Sequence, residues 1–252
     1  MTLGYLLRRG LVAGAAAGVV AAGVIWLVVE PVLRRALALE SSEMAHAGHH
    51  EEPLLSRGTQ LVGGVVTTAA VGVLFGIVFA VVFARLRHRL PARTDLGRAV
   101  LLAAMGFGVF ALLPAVKYPA NPPGVGNPAT VTERTLLYVL SILMGLLVVT
   151  VVSMVHRALS GRRLRPAQAV GVDVLVAVVG LVAVLVLLPP SPDPVPNDVP
   201  ADLLWDFRLA SLAQLASMWA TLGLALGLLL EAHGAKAVRP DASSALQSTP
   251  AG

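Results

Sequence analysis

Six long apolar runs, each closed by polar or charged residues, constrain this chain more than any other feature. They lie roughly at residues 11–29, 61–84, 96–116, 135–155, 167–188 and 207–230. Each approaches or exceeds the ~20 apolar residues that a helix needs to cross the hydrocarbon core of a bilayer. Backbone in lipid must satisfy its own hydrogen bonds, so these runs read as helices rather than open strands. The expected fold class is an all-α integral membrane protein, a bundle of about six transmembrane helices. Composition excludes the alternatives. Hydrophobic residues make up 56% and charged residues 13%, against about 25% charged in soluble domains. That leaves too little polar surface for a soluble globule and too much apolar surface for disorder.

The first run follows Arg8 and Arg9, as a signal peptide's would. Its apolar length exceeds the usual 7–15 residues of such a segment, so an uncleaved helix is expected. The net charge of +5 does not indicate nucleic acid, because the basic residues flank apolar runs, where membrane topology accounts for them. With the N-terminus inside, thirteen of the 19 Lys and Arg residues fall on cytoplasmic segments. Basic residues accumulate on that side, so both termini are expected in the cytoplasm of a cell with this chain in its inner membrane. Most acidic residues fall on the opposite face, which becomes a negative mouth that concentrates cations. Residues 1–231 read as the membrane domain and 232–252 as a disordered cytoplasmic tail.

The most specific polar motif is the acidic, His-rich stretch at 40–52. His46, His49 and His50 stand among Glu43, Glu51 and Glu52. Imidazole suits Co, Ni, Cu and Zn, and carboxylates add harder oxygen ligands. In a helix the three histidines would share a face, with Glu43 one turn before His46. Gly48 argues equally for a flexible chelating loop. The alternative is a solvated polar loop without a metal.

The last run carries Arg208, Ser211, Gln214, Met218 and Thr221 on one helical face, with Asp206 at its outer end. Such a stripe either lines a pathway or joins helices by hydrogen bonds. Asp173, near the start of the fifth run, is expected to pair with the Arg162 to Arg165 cluster; a proton relay is the second reading. Glu30, just before Pro31, ends the first helix on this reading and fits an interfacial position or a ligand at the mouth. Between the third and fourth runs, residues 117–128 are rich in Pro and Gly, which forbid regular helix. Lys117, Tyr118 and Asn121 mark this outer loop, which either folds back as a lid or forms a rigid edge. Two Leu-Leu-Pro triplets, at 112–114 and 187–189, fit either a repeat offset by 75 residues, a pattern known in transporters, or two unrelated hairpins that share basic turns and proline-terminated helices.

No cysteine is present, which removes disulfides, thiolate metal sites and cysteine catalysis. No phosphate-binding Gly-Lys motif, serine-nucleophile elbow or zinc-protease motif occurs. His88, His156 and His233 stand at helix edges rather than mid-membrane, which counts against haem. An enzyme is therefore not expected, and no cofactor.

Three stretches resemble the CbtA family of cobalt transporter subunits. They are the acidic His-rich loop Glu43 to Glu52, the segment Leu113-Pro114-Ala115-Val116-Lys117-Tyr118-Pro119-Ala120-Asn121-Pro122-Pro123-Gly124-Val125-Gly126, and Leu204-Trp205-Asp206-Phe207-Arg208-Leu209-Ala210-Ser211-Leu212. The chain has fewer histidines than many members, and Pro53 to Gly58 replaces a Trp-Pro-Asp-Gly-like segment. The resemblance implies cobalt uptake for cobalamin synthesis and a small one-helix CbtB-like partner. Co2+ would be the transported ion, with Ni2+ or Zn2+ as alternatives. A metal-sensing or partner-binding membrane module is the competing reading.

Overall fold

The computed structural model describes residues 2–46, 56–123, 125–162, 165–192 and 199–237. Among these, every regular element is helical. They are α1 (Leu3–Val24), a π-helical turn (Ile25–Val29), α2 (Glu30–His46), α3 (Arg57–Leu86), a 3-10 turn (Arg87–Arg89), α4 (Asp95–Phe107), a second π-helical turn (Gly108–Leu112), α5 (Leu113–Lys117), a second 3-10 turn (Pro128–Thr130), α6 (Val131–Ser160), α7 (Pro166–Leu187) and α8 (Ala201–Ala237). Six continuous helical stretches are long and apolar enough to cross a membrane. They enclose the six runs read from the sequence, save for Leu188, where α7 has already ended. The expected tail began at residue 232, but α8 continues through its first six residues to Ala237; the rest lies outside the described residues.

The first helix departs from expectation. Glu30 and Pro31 do not end it; the helix continues through α2 to His46. A proline inside a helix lacks the N–H that should bond four residues back, and its ring crowds that carbonyl. A π-turn widens the helix by one residue and gives that carbonyl room. Here the π-turn Ile25–Val29 immediately precedes Glu30-Pro31. The same arrangement recurs where Gly108–Leu112 precedes Leu113-Pro114. There the Leu113 N–H bonds Gly108 O, five residues back. The carbonyl that Pro114 leaves without its helical donor belongs to Phe110, and the Tyr138 hydroxyl of α6 donates to it at 3.1 Å. The second Leu-Leu-Pro triplet is different: α7 stops at Leu187, and Pro189 follows the helix rather than lying in it.

Cα packing divides the chain into two compact units, 1–24 with 55–105 and 217–252, and 25–54 with 106–216. In the first unit, α1 and α3 meet backbone to backbone. Gly10, Gly14 and Gly18 recur every fourth residue on α1, and Gly72 and Gly76 do so on α3. A Cβ at Gly18 would lie 2.8 Å from Ala69 O; one at Gly72 would lie 2.6 Å from Gly18 N. Lipid offers no hydrophobic drive between helices, so small residues that permit close approach dominate such contacts. Gly223 and Gly227 of α8 play the same part against Ala99 and Leu96 of α4. Trp219 fills the remaining space, edge-on to Phe75 at 6.1 Å and Phe79 at 6.4 Å. The N-terminus of α4 is closed by Thr94 Oγ1, which accepts from Gly97 N–H, and by Glu231, which accepts from Leu96 N–H.

In the second unit, α6 packs on α7 and on the π-turn before α5. Gly145 admits Leu113 and Val109. Val32 and Ala36 of α2 form a small core with Leu203 and Ala210 of α8. Only 6% of the most apolar stretch of α7 is buried within the chain, so most of its surface is left uncovered by the chain's own packing.

Candidate functional site

The best-defined polar geometry lies where the 117–128 segment leaves α5, all of it in the second unit. Three side chains hold that segment to its neighbours. Lys117 Nζ donates to Leu185 O at 2.8 Å, one of the last-turn carbonyls of α7 that have no intrahelical donor. A cation there also complements the negative end of the helix dipole. Tyr118 donates its hydroxyl hydrogen to Pro189 O at 2.9 Å. Burial pushes that phenol's pKa above its usual 10.0, so it remains a donor. Arg208, one turn into α8 beyond Leu204, donates through Nε to Ala120 O at 3.3 Å and through Nη2 to Asn121 Oδ1 at 3.2 Å. Asn127 then caps the short turn Pro128–Thr130 by accepting from Ala129 N–H. The segment is thus tied to its neighbours both by donors of its own, Lys117 and Tyr118, and by acceptors of its own, Ala120 O and Asn121 Oδ1. Below it lies a cavity of about 300 Å³, with Tyr118, Asn121, Arg134, Thr135 and Tyr138 among its walls.

Within the α8 stripe, Arg208 makes this tether. Arg208 serves as a loop clamp. Asp206 pairs with Arg35 of α2 at 2.7 Å. Ser211 and Gln214 are half-buried, and Met218 is buried in the first unit.

The metal-ligand candidates are placed differently. Glu43 and His46 stand in the last turns of α2, and His49, His50, Glu51 and Glu52 lie outside the described residues. Among the described residues no group of three or more His, Asp or Glu side chains is arranged to hold a metal ion. Glu30 is buried, at 3% exposure, and accepts from Arg34 Nε at 2.9 Å.

A family model for probable cobalt transporter subunits matches residues 3–231. The chain belongs to the CbtA family. The match spans all six membrane-crossing helices and the clamped segment. No curated protein and no solved structure matches the chain.

One pairing in this CbtA chain corrects the sequence reading. Among the described residues, Asp173 pairs with neither Arg162 nor Arg165 of the expected arginine cluster. Its Oδ2 lies 2.6 Å from His156 Nδ1. The reason is geometric. His156 is four residues before the end of α6, and Asp173 seven residues after the start of α7. In an antiparallel hairpin those positions face each other, whereas Arg162 and Arg165 stand between the two helices in the connection. Tyr138 and the two π-turns were not singled out from sequence. A signal existed for Tyr138 alone: a proline inside an apolar run implies a carbonyl that needs another donor.

Proposed function

We propose that this chain is the membrane subunit of a cobalt uptake system. The observation that carries the reading is the CbtA match across residues 3–231 of a chain with six helices able to span a membrane. Divalent metal is captured outside by His46, His49 and His50 with Glu43, Glu51 or Glu52. It then passes inward through the helix bundle. Neutral imidazole with carboxylate binds Co2+ less tightly than Ni2+ or Cu2+, so cobalt rests on the family. Both termini lie in the cytoplasm, as the distribution of Lys and Arg favours, and the membrane is the inner one. A small one-helix subunit completes the system, which supplies cobalamin synthesis. The chain performs no catalysis, needs no resident cofactor, and treats the metal as cargo.

The test is radiolabelled cobalt accumulation in a host without its own cobalt importers. That host expresses this chain, with and without a one-helix partner, beside a variant carrying His46→Ala, His49→Ala and His50→Ala. Accumulation that needs more external cobalt in the triple variant supports both uptake and capture. Equal accumulation sinks the capture loop alone. No accumulation in any combination, with metal still bound, replaces transport by metal sensing.

A further inference from the structure

Asp173 is a carboxylate within a membrane-spanning helix, about 10 Å along α7 from Pro166 at 1.5 Å per residue. Ionisable groups at such positions are rare and usually mark ion or proton routes. Its Oδ2 is held 2.6 Å from His156 Nδ1, while its Oδ1 is buried with no hydrogen-bond partner among the described residues. A structural ion pair in low dielectric normally satisfies both carboxylate oxygens, because each bare lone pair weakens the fold. This one does not. Nor is its partner a permanent cation. The charged groups on these ends of α6 and α7 are Arg157, Arg162 and Arg165 among the described residues, and Arg157 donates instead to Ser153 O. The partner is an imidazole, the ordinary side chain that changes charge between about pH 5 and 8.

Resting on the transport reading above, we propose that the His156–Asp173 pair is a proton-binding site that couples metal movement to proton movement. With a neutral ring and an ionised carboxylate the pair carries one negative charge. Taking up one proton, shared between Nδ1 and Oδ2 or placed on Nε2, makes it neutral. The negative state attracts a passing divalent cation, and the neutral state does not. Proton and metal therefore compete for one charge, and that competition is the coupling. Within the chain's own packing the ring is half-exposed and the carboxylate mostly shielded, so on this proposal the proton enters and leaves by way of the ring.

The experiment reconstitutes the full chain, with any subunit that co-purifies, into vesicles containing a pH-sensitive dye. Cobalt and proton fluxes are read together across about pH 5 to 8 for the wild type, Asp173→Asn and His156→Gln. The expected result is proton flux accompanying cobalt in the wild type. In both variants proton flux falls to the level of empty vesicles and the pH dependence of cobalt flux flattens. A merely structural pair would lower cobalt flux equally at every pH and leave the profile's shape unchanged. Cobalt movement without proton flux in the wild type, or unchanged coupling in the variants, overturns the proposal. Should the wild type move no cobalt, the transport reading fails and histidine-ring nitrogen NMR decides this one. A His156 signal that changes with pH, and changes differently in Asp173→Asn, supports the site; a signal indifferent to either overturns it.

Discussion

Replacing Gly18 by Ala tests how tightly α1 and α3 are joined. The added methyl would lie 2.8 Å from Ala69 O, 2.9 Å from Ala69 Cα and 3.2 Å from Ala69 C. All three are backbone atoms of α3, so no side-chain rotation can relieve the contact. Ordinary carbon contacts begin at 3.4 Å, and the helices must therefore part by about half an ångström. A gap of that size forfeits roughly a quarter of the attraction of each contact along the seam. Overpacking of this kind destabilises by about 1–3 kcal/mol. Alanine also favours helix over glycine by up to about 1 kcal/mol, which partly hides the loss. Gly63→Ala separates the two effects, because nothing lies within 4 Å of a methyl there and it gains the same helix preference. The difference between the two variants is then the packing effect alone, about 1–3 kcal/mol. Reversible unfolding in detergent, followed by tryptophan fluorescence, measures it. If Gly18→Ala and Gly63→Ala agree within about 0.5 kcal/mol, below that packing range, the backbone seam is not what holds α1 to α3.

Trp219→Ala removes a buried ring packed edge-on against Phe75 and Phe79; the same unfolding assay should show a loss of about 3 kcal/mol, and a loss under 1 would mean the site collapses. Arg208→Ala releases Ala120 O and Asn121 Oδ1 and should destabilise by about 1–2 kcal/mol, since charged hydrogen bonds are among the stronger ones. Limited proteolysis should then cut near Asn121, and Arg208→Lys, which lacks the planar fork, should restore little of the protection. Tyr118 contributes fully below about pH 10 and its contribution is lost as pH rises through its raised pKa. Tyr118→Phe should therefore weaken the fold at neutral pH and remove part of its alkaline sensitivity, both read by thermal unfolding at stepped pH.

Helix number and position were legible in the sequence because hydropathy alone decides them, and all six runs fall on helices. Pro31 misled because its usual meaning, a helix end, assumes regular α-geometry; a π-turn removes the conflict, and no propensity at Ile25–Val29 announces one. Arg208 was visible as a polar group on the last helix, yet its target was not. Contacts between Arg208 and Ala120 span 88 residues, and no local pattern encodes such a separation. Asp173 was assigned to the nearest arginines by sequence distance, whereas hairpin register brings His156 opposite it. Gly10, Gly14 and Gly18 carried an available signal, the four-residue spacing of small residues. Of the His-acid stretch, Glu43 and His46 fall at the end of α2, and its other candidate ligands lie outside the described residues.

Each π-turn is, in register, a one-residue insertion. A regular helix rotates about 100° per residue, so removing one residue from Ile25–Val29 would restore α-geometry and swing everything beyond it by that angle. Glu30 would leave its buried position, and Arg35 would turn away from Asp206. The proline would remain, now facing a crowded carbonyl. Length within those five residues is therefore under tighter constraint than identity: conservative substitutions at Trp26 or Leu27, both exposed, should pass, while a single deletion should misdirect the whole of α2.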